Sequence, residues 1–299
     1  MKKILTIIFL IVGIASFAQN DVQVSSLSAN KLFYNPAATG YSDYFNAALT
    51  YRAQWNPSSG IAGSQRPHAV ILNMSQYLWN MRSGFGLTVY DFRHSIENQF
   101  MIKGSYAYHI QMGDEEYLSL GVSAGLMSHS VNDAVTPSGN DVDYTNLISD
   151  LGLGLEYHTG DIIVGLSCAH IPLVLGNDVA KVNPHFYFYT TYVYKIDNDW
   201  KLLPHIVLRN SVFITNVAIG TRVAYLNQFL LGLDYRMDAW SINVGWRFGN
   251  MAVGYSYDIN NGALQSRGVG GSHEITMSYN GILFPIKDAV EKLKDRKDF

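Results

Sequence analysis

Few side chains in this sequence are spaced for chemistry. Its nine histidines are scattered singly over 299 residues. No His-Glu-x-x-His or similar spacing sets two imidazoles one helical turn apart, as a metal site would require. A single cysteine, Cys168, excludes a disulfide framework and any multi-cysteine zinc or iron–sulfur site. It lies in an apolar run and reads as a small buried hydrophobe. Gly268-Val269-Gly270-Gly271-Ser272 is glycine-rich, but a phosphate cradle needs the helix N-terminus that such a loop would open. Here the stretch joins two predicted strands. No Gly-x-Ser-x-Gly elbow is present to expose a nucleophilic serine. Asp133, Asp141, Asp143 and Asp150 could meet on calcium, yet their spacing does not fit an EF-hand and a solvated loop accounts for them. Neither catalysis nor a cofactor nor a metal is expected.

Composition says what kind of scaffold would carry any site. Charged residues make up 15% of the chain, against roughly 25% in soluble proteins. Aromatics reach 13%, with 20 Tyr and 14 Phe, and the mean hydropathy is +0.03. That balance argues against disorder, which needs high charge and few aromatics. With 24 acids against 21 bases and no basic cluster, it also argues against nucleic-acid binding.

Residues 1–18 read as an export signal. Lys2-Lys3 precede a short apolar core from Ile4 to Phe17, and Ser16-Phe17-Ala18 fits small-x-small cleavage before Gln19. The run is shorter than the roughly 20 apolar residues of a membrane span. No cysteine near the cut offers a lipoprotein anchor. Without Lys2 and Lys3, 19 bases face 24 acids, a mature charge of −5. No later segment approaches a transmembrane helix, so the mature chain is expected in the periplasm, outside the cell or in the outer membrane.

From Phe45 onward the apolar period is two. Trp240, Ile242, Val244, Trp246 and Phe248 alternate with Ser241, Asn243, Gly245 and Arg247. About 14 strands follow from this template, near 45–55, 68–78, 84–93, 98–111, 117–130, 150–158, 161–170, 185–196, 200–209, 212–223, 228–237, 240–248, 251–259 and 273–281. Most are long enough for the roughly 9–11 residues of a tilted membrane strand. Even-numbered connections are tight, for example Thr159-Gly160 and Gly249-Asn250. Most odd-numbered ones are long (56–67, 131–149, 171–184, 260–272), those near Asn210 and Asp238 being short. Short periplasmic turns and longer extracellular loops are the habit of outer-membrane barrels.

The second face of each strand is mostly Gly, Ser, Ala, Asn and Thr, where a soluble sandwich would carry Lys and Glu. It suits a lumen, and the aromatic-rich face, with Trp55, Trp79, Trp200 and Trp240 at strand ends, suits lipid. The fold expected is therefore an all-β transmembrane antiparallel up-and-down barrel over 45–284. Residues 19–44 precede it, and two readings stand for them: an entry linker, or a segment tucked into the lumen as a plug. Residues 285–299 form a charged tail, with Ile286, Val290 and Leu293 at helical spacing, expected in the periplasm.

Several of these residues carry a resemblance. The signal ending Ser16-Phe17-Ala18-Gln19 is followed by Asn35-Pro36-Ala37-Ala38-Thr39-Gly40 and the strand Leu49-Thr50-Tyr51-Arg52-Ala53-Gln54-Trp55. Near the end come Gly254-Tyr255-Ser256-Tyr257-Asp258 and Gly271-Ser272-His273-Glu274-Ile275. In order and spacing they resemble the PorP/SprF family of type IX secretion system outer-membrane proteins of Bacteroidetes, over the whole chain. Thr39 departs from the usual Ala before the glycine. The resemblance implies a non-catalytic component of the secretion or gliding system that receives or anchors the C-terminal domain of a secreted adhesin. It also implies a possible periplasmic peptidoglycan-binding lipoprotein as partner. The motif residues Asn35, Pro36, Gly40, Arg52, Trp55, Tyr257, Gly271, His273 and Glu274 look structural. Partner contact is expected in loops around Asp141, Asn177 and Gly268. The alternative in the same barrel is a diffusion pore or a hydrophobic-substrate channel.

Overall fold

Alternation of apolar and small residues leaves a strand one surface fit for hydrocarbon and one fit for a filled interior. A computed structural model of the protein turns that alternation into a closed wall. It describes residues 23–41, 44–54, 66–78, 82–94, 97–135, 141–171, 183–211, 215–261 and 270–281, the side chains of 132–135 and 141–144 excepted. The expected signal segment, the charged tail, Trp55, Trp79, Asn177 and Gly268 lie outside the described residues.

Fourteen antiparallel strands follow one another around the barrel. They are β1 Phe45–Ala53, β2 His68–Leu78, β3 Ser83–His94, β4 Glu97–Gln111, β5 Tyr117–Val135, β6 Asp141–His158 and β7 Ile162–Ile171. Next come β8, running His185–Tyr192 and resuming after Val193 as Tyr194–Lys195, then β9 Trp200–Ser211 and β10 Thr215–Tyr225. The last four are β11 Phe229–Arg236, β12 Ala239–Phe248, β13 Met251–Asn260 and β14 Ser272–Gly281. Strand β14 pairs with β1 from Phe45↔Gly281 to Ala53↔His273, so no edge is left open. Closure is what a sheet in hydrocarbon requires, because an unpaired edge has no water to bond.

Side chains sort by face as the period demands. Leu49, Tyr51, Ile102, Leu120, Val122, Leu231, Ile242, Val244 and Met277 point outward and are exposed. Trp200, Trp240 and Trp246 join them on the outer surface. On the wall of β3–β6, outward rows read Phe85, Tyr106, Val122, Leu153 and then Val89, Ile102, Leu126, Ser149. Two rows further the register brings Arg93, Asn98, Ser130 and Thr145 together, which marks the upper edge of the apolar band.

Two expectations are corrected. Residues 131–149 are not a long loop: β5 runs to Val135 and β6 starts at Asp141, so this hairpin rises as sheet well beyond the roughly 9–11 residues needed to span. Polar residues there misled the reading, since strands above a membrane face water on their outer side. Asp141 accordingly opens a strand, and Asp150 is a buried lumenal residue of β6 whose Oδ1 lies 2.9 Å from His170 Nδ1. Cys168 is only half-buried, because its position in β7 faces outward beside exposed Leu166.

The interior holds part of the chain itself. Residues 23–41 lie inside the wall as a short 3₁₀ turn (Leu27–Ala29), one helical turn (Lys31–Tyr34) and a second 3₁₀ turn (Pro36–Ala38). Val24, Leu27, Phe33 and Tyr34 pack with inward-facing Ile71, Tyr90, Met101, Met127, Tyr187, Tyr189 and Val207. The hydrophobic core of this protein is thus the lumen itself. Inward aromatics are the part of the packing that the period alone does not reveal. If the outer face sees lipid, Val244→Arg, central in the outward row of β12, should destabilise the barrel by about 2–4 kcal/mol, measured by denaturant unfolding in vesicles. Gly245→Ala, the next residue along and on the lumenal face, should cost far less, since a Cβ there would meet nothing nearer than 3.4 Å.

Candidate functional site

The site is built where the N-terminal segment meets the wall. Its residues run from the end of the lumen with the longer connections down to the end with the short turns, and the two halves are held differently. At the upper end β1, β11, β13 and β14 carry charged residues on their inner faces, because lipid excludes them from the outer one. Arg52 of β1 donates from Nη2 to Asp258 Oδ2 at 2.6 Å and from Nη1 to Glu274 Oε2 at 3.2 Å. Arg236 of β11 donates to the same Asp258 oxygen at 3.0 Å. Asp258 also accepts from Ser241 Oγ and from Ser25 Oγ, the latter at 2.8 Å.

Glu274 binds the segment through its main chain. The backbone N–H groups of Ser25 and Ser26 donate to its two carboxylate oxygens, each at 2.8 Å. Arg222 Nη2 donates to Ser25 O at 3.3 Å and Arg209 Nη2 to Val24 O at 3.1 Å. Alongside, Asp234 sits 2.8 Å from His205 Nε2 and accepts from Asn243 Nδ2 at 2.8 Å. Below it, Asn30 bridges Thr50 at 3.0 Å and Asn73 at 2.9 Å. Burying so many charges is costly unless each is paired and bonded, and here the pairs are dense.

The lower half is keyed into the wall by shape and by one ion pair. Lys31 Nζ lies 3.2 Å from Glu156 Oε1, whose side chain is 0% exposed. Tyr189 donates to the same carboxylate. Asn35 Nδ2 donates to Leu155 O at 3.0 Å and to Tyr189 Oη at 3.1 Å, while its Oδ1 accepts from Ala37 N at 2.9 Å. Pro36 follows at the first position of a 3₁₀ turn, where its missing N–H is not needed. Lys103 Nζ donates to Phe33 O at 3.0 Å, and Thr39 O lies 3.0 Å from His109 Nε2. Close approach depends on glycine: a Cβ on Gly121 would lie 2.1 Å from Ala37 N, and one on Gly154 2.0 Å from Asn35 Oδ1. Gly40 ends the segment at φ +64°, against Gly84.

Of the motif residues, then, Arg52 and Glu274 meet at the upper cluster, while Asn35, Pro36 and Gly40 form the lower key. Gly271 precedes β14, where a Cβ would lie 2.3 Å from Asp258 O. Tyr257 and His273 face outward, ring centroids 4.9 Å apart, with Tyr255 Oη 2.7 Å from His273 Nδ1. The motif reading did not single out Ser25, Asp258, Arg236, Glu156, Tyr189 or Lys103. The available signal was a charged side chain in mid-strand, which in a lipid-facing sheet must point inward. Among the described residues no group of three or more His, Cys, Asp or Glu is placed to hold a metal ion.

Comparison with known proteins places this geometry. The family model described as type IX secretion system membrane protein PorP/SprF matches residues 16–279. A search of curated protein sequences gives no match. Solved structures with the same fold include the Ralstonia pickettii toluene transporter TbuX, with TM-score 0.55, 12% identity and coverage of 90% of this chain and 96% of that one. Another is the Pseudomonas putida toluene transporter TodX, with TM-score 0.52, 13% identity and coverage of 87% and 94%. At such identities the likeness is one of fold.

The two halves predict two phenotypes. Asp258→Ala leaves Arg52 and Arg236 buried without their shared carboxylate and should cost about 3–5 kcal/mol in unfolding free energy. Gly121→Ala should leave the barrel folded, its β circular-dichroism signal intact, while making residues 31–40 accessible to protease.

Proposed function

Because the chain belongs to the PorP/SprF family of type IX secretion system membrane proteins, we propose that it holds the C-terminal domain of a secreted cell-surface adhesin rather than passing a solute. It is an outer-membrane component of that secretion system, with its outer face in lipid. One observation carries the proposal: the lumen is occupied by the chain's own residues 23–41, bonded to β1, β4, β6, β7, β8, β9, β10, β11, β13 and β14. A wall so filled offers partners its rim rather than a path. By the turn-length habit of such barrels, the short-turn end faces the periplasm and the opposite rim faces outward.

The outer rim has the surface for a partner. The β5–β6 hairpin stands above the apolar band, and the connections 172–184 and 261–271 leave from the same end. Contacts around Asp141, Asn177 and Gly268 belong to that rim in this reading. The charged segment 285–299 follows β14 at the periplasmic end, where a peptidoglycan-binding lipoprotein would meet it. The toluene transporters share the fold at 12–13% identity, which carries no substrate to this chain.

Affinity purification from native membranes should recover one large secreted protein through its C-terminal domain. In planar bilayers the purified protein should show no large steady conductance, and a variant lacking residues 23–40 should show open steps. Large conductance of the intact chain, with no secreted partner recovered, would favour a pore instead.

A further inference from the structure

The upper cluster has the features of a binding site with a resident ligand. Arg52, Arg222 and Arg236 face Asp234, Asp258 and Glu274 across the lumenal wall, three cations and three carboxylates. These pairs lie within the wall and do not depend on the N-terminal segment. What the segment contributes there is uncharged: two backbone N–H groups, two serine hydroxyls, the carbonyls of Val24 and Ser25 and the buried Val24 side chain. Its departure would leave those three carboxylates paired, while Arg209 would lose the Val24 carbonyl. The lower half differs, since Lys31 is the cation on Glu156 and the glycine contacts leave its backbone no room to shift.

Fit at the top is also incomplete. Arg209 Nε and Nη1, Arg52 Nε and Gln23 Oε1 are buried without a hydrogen-bond partner. Each such group forgoes a hydrogen bond, so the resident leaves part of the site's bonding capacity unused. The lower half, by contrast, is an anchor.

We propose that the Arg52–Asp258–Glu274–Arg236 cluster is a peptide-binding site in which Val24–Ser26 is an exchangeable occupant. Its ligand class is an extended segment presenting two successive backbone N–H groups and a serine or threonine hydroxyl. Glu274 clamps the two amides, Asp258 takes the hydroxyl, and the arginines hold both carboxylates in place while adding donors for carbonyls. Residues 30–40 stay fixed during exchange, Asn30 keeping its bonds to Thr50 and Asn73, and residues 23–29 swing as an arm. That a secreted partner supplies the competing segment rests on the function proposed above; the exchange itself does not.

The test uses purified full-length protein in liposomes, with Cys168→Ser as background. Ser26→Cys should react with a membrane-impermeant maleimide at least tenfold faster than Leu32→Cys in the anchor. A synthetic peptide copying residues 23–30, in excess, should speed labelling of Ser26→Cys several-fold, and Glu274→Gln should remove that response. Should Glu274→Gln fail to fold, a Ser26→Cys/Thr276→Cys pair, whose native oxygens are 3.4 Å apart, serves instead. Oxidised, it should bind none of the fluorescent peptide that its reduced form retains. Equal labelling at the two positions, or a peptide without effect on either readout, overturns the proposal. Neither measurement involves a secreted protein, so failure here leaves the adhesin-anchoring reading to its own test.

Discussion

Hydrocarbon offers no hydrogen bonds, and that absence orders everything else in this protein. Every backbone group in the wall must bond to a neighbouring strand, so the sheet closes on itself at β1 and β14. Within the apolar band charges turn inward, so the arginines and carboxylates of β1, β10, β11, β13 and β14 share one narrow space. Once there, they require partners. The chain supplies some from the opposite wall and the rest from its own first residues. The plugged lumen thus follows from the outer surface: an exterior of Leu, Ile, Val and aromatics exports the polar problem to the interior.

Much of the wall was legible because its rule is short. An outward row such as Trp240, Ile242, Val244, Trp246 and Phe248 repeats every second residue, and that period survives into the structure without shift. Thirteen connections and one seam then follow from counting. What misled was the region above the membrane, where lipid no longer enforces alternation. Residues 131–149 look like loop because water meets the outer side of β5 and β6 there, yet the hairpin continues. Cys168 shows the same weakness on a smaller scale: an apolar neighbourhood says little about which face a side chain takes.

The interior was legible only in outline. Arg52, Glu274, Asn35 and Gly40 stood out as motif residues, but nothing local to them shows that Glu274 receives the amides of Ser25 and Ser26, some 249 positions away. Long-range pairing is decided by closure and register, which the period does not carry. Asp258 and Glu156 were visible as charges interrupting strands, and lipid exclusion alone would have turned them inward. Tyr90, Tyr187 and Tyr189 were harder, since an inward tyrosine and a membrane-facing one look alike in sequence. Their place depends on the segment they pack against.

The register of the seam has a consequence for how the molecule comes into being. Arg52 and Glu274 are opposite one another on β1 and β14, the first and last strands, and both touch Ser25. The socket for Ser25 therefore does not exist until the two ends of the sheet have met. A closed wall gives residues 23–41 no sideways entry, so they are inside when the ends meet or enter along the barrel axis. Completing the barrel and completing the socket for Ser25 are one event in its assembly. The Arg52–Glu274 pair that helps to finish the ring is thereby also two sides of the place where Ser25 sits.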